Sequence, residues 1–267
     1  MRPDSVHARD LTPGQTRASL AIIAVLFFIF GFVSWANAIL IPYFKIACEL
    51  THFEAYLVTF AFYISYLVFS WPAAGLLRRT GFKRGMMLGF WIMSAGALLF
   101  IPAAYARAYP VFLGGLFTLG AGLAILQTAA NPYVTVLGPQ ASAARRFSLM
   151  GIGNKGAGIL APILFAAVVL RVTDTALFAA LPTMEPAAKA AALDELVRRV
   201  VTPYGVVAAV LAVLGLLVRW SPLPEIDTDH ESADIAEANA GKTSVFQFPQ
   251  LVLGALGIFL HVGTQTV

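Results

Sequence analysis

Apolar residues come in seven long runs, divided by short polar turns and two longer polar stretches. The runs are Leu20–Phe44, Ala55–Leu77, Met86–Ala104, Val111–Leu137, Leu149–Leu170, Val201–Trp220 and Leu251 onward. About 18 apolar residues are enough to cross a bilayer as a helix. In lipid a spanning segment must satisfy its own backbone polar groups, so each run is expected to be a transmembrane helix. The expected class is all-α, a polytopic membrane helix bundle of six spans plus one further span.

The two longer stretches are expected to be non-spanning. Val172–Arg199 reads as a loop. Within it, Pro186–Val200 reads as a short surface helix, with Leu193, Leu196, Val197 and Val200 on one side and Lys189, Asp194, Glu195 and Arg199 on others. Ser221–Phe248 carries Glu225, Asp227, Asp229, Glu231, Asp234 and Glu237 and reads as a flexible linker. The expected organisation is therefore a polar tail at 1–18, a six-helix half at 19–220, a linker at 221–248 and the start of a second half at 249–267. Pro249 suits a helix opening. Val267 falls inside the seventh run, so the sequence is expected to be a portion of a larger bundle.

Composition agrees with a bilayer. Hydrophobic residues are 59% of the chain and charged ones 12%, about half the share of a soluble domain. The net charge of +4 is explained by topology rather than by nucleic acid, since the basic residues sit in short turns. With the N-terminus inside, the inner side holds Arg2, Arg9, Arg17, Arg78, Arg79, Lys83, Arg84, Arg145, Arg146, Arg219 and Lys242. The outer side holds Lys45, Arg107, Arg171, Lys189, Arg198 and Arg199, four of them in the long outer stretch. The bias in the short turns sets the N-terminus in the cytoplasm. The single cysteine, Cys48, excludes an internal disulfide and a cysteine-built metal site.

Polar groups at membrane depth are the candidates for function. The fourteen acidic residues lie in tails, turns or span ends. Lys155 is the charged residue set deep in a run, inside span five. A lysine at a helix centre costs about 2.5–3.5 kcal/mol on insertion scales, so it is expected to face a wet cavity or to take part in coupling. If span five begins later, it instead snorkels to the interface. Gln127 and Asn131 lie four residues apart in span four and share a face. Their amides suit either a sugar hydroxyl or a neighbouring helix. Pro132 frees a carbonyl near Thr128, where a helix can bend. In span one, Trp35 and Asn37 suit a sugar's apolar face and hydroxyls, although Trp35 serves equally as packing. Asn154 stands among Gly151, Gly153, Gly156 and Gly158, read as packing residues. His261 and Gln265 share a face of span seven, and His261 is a candidate proton carrier.

The turn Gly75–Gly85 contains Arg78, Arg79, Lys83 and Arg84, with Gly81 for a tight bend. Asn37 with Pro42-Tyr43 in span one echoes Asn131-Pro132-Tyr133 in span four, as equivalent positions of two three-helix units would. Both spans are read as running outward. Nucleotide-binding, metalloprotease and serine-hydrolase signatures are lacking, so no enzymatic chemistry, cofactor or metal is expected.

The strings NAILIPYFK (Asn37–Lys45), GLLRRTGFKRG (Gly75–Gly85), LQTAANPYVTVLGP (Leu126–Pro139), SLMGIGNKGAGILAP (Ser148–Pro162) and HVGTQT (His261–Thr266) carry a resemblance. They resemble the major facilitator superfamily, in its fucose/galactose/glucose:proton symporter branch. The resemblance implies a twelve-helix transporter in a bacterial-type inner (plasma) membrane, working by alternating access. Its partners would be a sugar, such as glucose or galactose, a proton and the bilayer. It implies substrate contacts at Asn37, Gln127, Asn131 and Asn154, with Gln265 from the second half. Lys155 and His261 are coupling candidates. Gly75, Arg78, Arg79, Gly81, Lys83 and Arg84 form the conformational turn. Fucose-type members carry carboxylates where this chain has Ala38 and Gln127. The pattern here is closer to hexose and N-acetylglucosamine permeases, with fucose as a further alternative. The competing reading is a truncated or non-transporting half that needs a partner chain supplying the missing C-terminal half.

Overall fold

The structure is a computed structural model that describes residues 5–6, 11–171, 173–226, 241 and 244–265. Side chains are described for these except 5–6, 37–42, 140, 245 and 261–265. The helices are α1 (Pro13–Ala47), α2 (His52–Thr80), α3 (Phe82–Ala106), α4 (Tyr109–Val136), α5 (Ala143–Val169), α6 (Asp174–Ala180), α7 (Pro186–Arg198), α8 (Val201–Trp220) and α9 (Pro249–Gln265). Among the described residues, six segments are long and apolar enough to cross a membrane: α1 to α5, and the segment from α7 through α8. The chain divides into two compact units, Met1–Asp227 and Thr228–Val267. In the second, a 3-10 turn at Val245–Gln247 precedes α9, which opens on Pro249.

Local signals set the helix starts. Thr12 begins α1 with a reciprocal capping box: its hydroxyl accepts the Gln15 N–H at 3.3 Å, and the Gln15 side chain accepts the Thr12 N–H at 3.0 Å. Thr51 and Glu54 repeat the device at α2. The expected eleven-residue turn at Gly75–Gly85 proves to be a one-residue break. The helix α2 runs on to Thr80, α3 begins at Phe82, and only Gly81 intervenes, at φ 86°. That left-handed backbone is what glycine permits. Arg78 and Arg79 thus occupy the last turn of α2, where cations complement the helix dipole.

The helices pack most extensively as α3 on α4, α1 on α5, α3 on α8 and α2 on α4. Small residues bring the backbones together, as in membrane bundles generally. A methyl built on Gly31 of α1 would collide with the Asn154 carbonyl of α5, and one on Gly122 of α4 with the Gly89 carbonyl of α3. Phe44, Phe100 and Phe112 fill the space between α1, α3 and α4, with Phe100 stacked on Tyr204 of α8 at 3.8 Å between centroids. Successive spans of one chain alternate in direction, so α1 and α4, three spans apart, run in opposite directions. The expectation that both run outward is corrected. Exchanging α1, α2 and α3 with α4, α5 and α8 turns the α1–α5 pair into the α4–α2 pair, as inverted three-helix repeats would.

The stretch after α5 is more ordered than a plain loop. It forms α6, a 3-10 turn at Leu181–Thr183 and α7. The expected apolar side of α7 is buried at Leu193, Leu196 and Val197. Tyr43 at the end of α1 donates to the Leu196 carbonyl at 2.5 Å, Arg107 reaches Asp194 at 3.4 Å and Lys189 reaches Glu49 at 2.6 Å. Beneath α7 the Arg199 guanidinium binds both carboxylate oxygens of Asp174, at 2.7 and 2.9 Å.

Candidate functional site

One open cavity of about 760 Å³ is lined from α1, α4 and α5. It collects Gln127, Asn131, Asn154 and Lys155 from the residues singled out in the sequence, together with Ser148 and the rings of Phe27, Phe30 and Phe147. The i,i+4 spacing of Gln127 and Asn131 holds: both point from α4 to the same wall. The helix α4 runs unbroken through Pro132.

Lys155 stands near the middle of the 27-residue α5. The helix begins at Ala143, well before Lys155. Its ammonium lies 5.0 Å from the centre of the Trp35 ring. That distance is within the range of a cation–π contact. Trp35 is pressed against Gly158, where a Cβ would meet the ring at 2.7 Å. The indole therefore packs against α5 beside Lys155.

Asn154 has a double role. Its side-chain amide donates to the Phe27 carbonyl at 3.0 Å, tying α5 to α1. Its carbonyl oxygen takes no part in that bond. The expectation that four glycines around Asn154 pack is corrected in detail. Only Gly158 meets a neighbour; Gly151 and Gly156 line the cavity, and nothing lies close to a Cβ on Gly153. The close approach to α1 is made by Gly31, and Asn154 itself forms the other side.

The side chains of Asn37, His261 and Gln265 lie outside the described residues. The backbone places Asn37 within α1, and His261 and Gln265 within α9.

Two residues that tie helix ends together were missed in the sequence. Arg146, counted only as a topology charge, is buried at 8% exposure. Its Nε donates to the Val134 carbonyl, one terminal nitrogen to Thr135, and the other to Pro139 and the Ser142 hydroxyl, all within 2.9 Å. It thus satisfies carbonyls that the end of α4 leaves open. The signal was present: Arg146 falls in phase with Met150, Ala157 and Ala161 on the buried face of α5.

Glu225 is the second. The expected flexible linker is docked over its first residues. The Glu225 carboxylate accepts the N–H groups of Phe82 and Lys83 at 2.8 and 3.1 Å, capping α3 immediately after Gly81. Lys83 donates to the Ser221 carbonyl at 2.6 Å. Tyr133, at the end of α4, donates to the Pro224 carbonyl and meets Phe82 edge-on. Glu225–Ile226 also pairs with Ser5–Val6 in a two-residue parallel ladder. Of the conformational turn, Lys83 is thus joined to the segment just after α8. Gly75 lies inside α2 with open space around it.

Among the described residues no cluster of three His, Cys, Asp or Glu side chains forms a metal site.

The family model of the Major Facilitator Superfamily matches residues 23–266. The glucose/galactose transporter of Brucella abortus (strain 9-941) is 35% identical over 97% of this chain and 58% of its own length. The L-fucose-proton symporter of Escherichia coli (strain K12) is 33% identical over the whole of this chain and 62% of its own length. Among solved structures, a Major Facilitator Superfamily transporter, FucP, in the outward conformation superposes with a TM-score of 0.70 at 32% identity, over 85% of this chain and 56% of that one. The chain therefore spans a little over half the length of these relatives. With the family model covering nearly all of it, the chain belongs to the Major Facilitator Superfamily.

Proposed function

We propose that this chain contributes to sugar transport across a bacterial-type inner membrane by alternating access, as the six-helix half that carries the α4–α5 wall of the sugar site. The observation that carries this reading is the single cavity holding Gln127, Asn131, Asn154 and Lys155 beside aromatic rings. Carboxamides donate and accept, as sugar hydroxyls do. Phe27 and Phe147 offer apolar surface to a sugar ring. The relatives named glucose/galactose transporter and L-fucose-proton symporter support a hexose-class substrate and a proton as co-substrate. The chain acts as a carrier, not an enzyme.

In this proposal the N-terminus is cytoplasmic, residues 1–18 form a tail, 19–220 the half, 221–248 a linker, and 249–267 the first span of a second half. Asn37 and Gln265 complete the substrate contacts. Lys155 and His261 are the groups for coupling, since Ala38 and Gln127 stand where fucose-type members carry carboxylates. The turn from Gly75 to Arg84, with Arg78, Arg79, Gly81 and Lys83, moves as the cavity changes sides. A partner half supplies the remaining wall.

The test is binding of labelled glucose and galactose to the protein in lipid nanodiscs, followed by uptake into proteoliposomes. Gln127→Ala and Asn131→Ala are each expected to weaken binding about tenfold, equivalent to about 1.4 kcal/mol. Sugar binding unchanged in both variants would overturn the assignment of this wall.

A further inference from the structure

On the perimeter of the bundle, away from the cavity, α3 and α8 each turn one exposed stripe outward. On α3 the stripe is Arg84, Trp91 and Leu98; on α8 it is Val206, Val213 and Trp220. Residues seven apart sit two turns apart on one face of a helix. The two stripes are neighbours. Trp91 lies over Gly215 of α8, where a Cβ would meet the indole at 2.8 Å, yet it stays 42% exposed. Ser94 of α3 donates to the Ala208 carbonyl of α8 at 2.8 Å. The principal neighbour of α8 is α3, and aliphatic side chains on the far side of such a pair are suited to acyl chains.

Both stripes end in charge, and at the same end. There α3 begins and α8 finishes, with Lys83 donating to the Ser221 carbonyl at 2.6 Å and feeling the charge of Arg219. Arg84 is exposed in the first turn of α3, and Arg219 is exposed in the last turn of α8. Three cations, Lys83, Arg84 and Arg219, thus surround one carboxylate, Glu225. Both oxygens of Glu225 are engaged by the Phe82 and Lys83 N–H groups. The corner keeps a net positive charge. A cation in the first turn of a helix also opposes the helix dipole, so an anion beside Arg84 relieves two repulsions. Trp220 is 74% exposed at this end. Indoles favour the membrane–water interface, which sets the two guanidinium groups at headgroup depth. Trp91 lies about 10 Å further along α3, at the depth of acyl chains.

From this we infer that the α3–α8 corner binds an anionic phospholipid. Its phosphate sits between Arg84 and Arg219, and an acyl chain runs along Trp91 and Val213. Guanidinium forks match phosphate oxygens. A headgroup of net negative charge, such as phosphatidylglycerol, meets the net positive corner; phosphatidylcholine brings a cation of its own. Basic groups between helices on the side read as cytoplasmic are where such lipids are held. The inference is separate from the sugar reading and stands or falls without it.

The test is fluorescence quenching by lipids with brominated chains, on the whole protein in phosphatidylcholine liposomes. Brominated phosphatidylglycerol or brominated phosphatidylcholine is added at the same mole fraction. A Trp71→Phe background removes the exposed indole of α2, leaving Trp91 and Trp220 as the exposed reporters. Phosphatidylglycerol is expected to be preferred about fivefold or more at these indoles. Added salt should shrink the preference. Arg84→Gln with Arg219→Gln is expected to remove it. Arg17→Gln with Arg145→Gln, which takes the same charge from exposed positions on α1 and α5, should leave it in place. No preference in the parent, the result if the acidic stretch at 227–237 covers the corner, would overturn the inference. So would an equal fall in both double variants, which would mark a diffuse attraction of charge. The parent comparison decides the matter even where a variant fails to fold.

Discussion

The Asn154 side-chain amide donates to the Phe27 carbonyl at 3.0 Å, across the seam where Gly31 lets α1 and α5 touch. One residue is thus both part of the cavity wall and the bond that holds the wall together. The seam leaves no room for a side chain at Gly31. Gly31→Ala should therefore destabilise the protein by about 1–3 kcal/mol, the usual range for overpacking. Gly114→Ala in α4, where nothing lies within 4 Å of a Cβ, should change little. Thermal unfolding in nanodiscs separates the two.

Arg146 is expected to be far more sensitive than its neighbour. Arg146→Met leaves the carbonyls of Val134, Thr135 and Pro139 without their donors. The loss should be about 3 kcal/mol or more, because each charge-assisted bond contributes about 1.5–3 kcal/mol. Arg145→Met, at an exposed position, should stay within about 0.5 kcal/mol of the parent. Comparable melting temperatures for the two variants would remove the role assigned to Arg146.

The Asp174–Arg199 pair makes the α6–α7 cap sensitive to acid. Burial raises the Asp174 carboxyl, but the Arg199 hydrogen bonds, the Arg171 N–H and the two guanidinium charges outweigh it and leave the group below the usual carboxylate range. A carboxyl lowered in the folded state stabilises fully above its unfolded value, about 3.9, and loses that contribution as pH falls through the lower folded value. The cap should hold from neutral pH down to about pH 4 and loosen below it. Asp174→Asn should abolish this acid step and weaken the cap at neutral pH as well. Hydrogen exchange in α7 as a function of pH measures both.

Glu225→Ala should uncap α3, at a cost of about 0.5–2 kcal/mol. The effect should be local, with exchange of the Phe82 and Lys83 amides rising well before the α3 centre is affected. Uniform exchange along α3 would show that the carboxylate does not act as a cap.

Much of the bundle was legible because lipid demands long apolar helices, and that demand leaves a plain mark in sequence. The candidate wall was legible for a related reason: Gln127, Asn131 and Lys155 are polar residues where polarity is expensive. What stayed hidden were groups whose polarity looked ordinary. Arg146 sits in the first turns of α5 and Glu225 in the polar stretch after α8, where charge is common and topology or disorder already explains it. Their partners are backbone groups, which have no letter in the sequence. Trp35 was ambiguous for the opposite reason, because an indole serves packing and recognition with the same surface. Its contacts with Gly158 and Lys155 show the packing side of that surface.

The cross-pairing of the two three-helix units bears on how the protein is made. The principal neighbour of α1 is α5, and that of α2 is α4, so neither unit holds its own best contacts. The ribosome delivers α1 well before α5 exists. During that interval α1 lacks its principal neighbour, and it is the most apolar of the candidate spans, which lets it wait in lipid. The polar side chains of the cavity wall arrive later, on α4 and α5, when helices able to shelter them are already in the membrane. The order of synthesis thus brings the tolerant helix first and the demanding ones last.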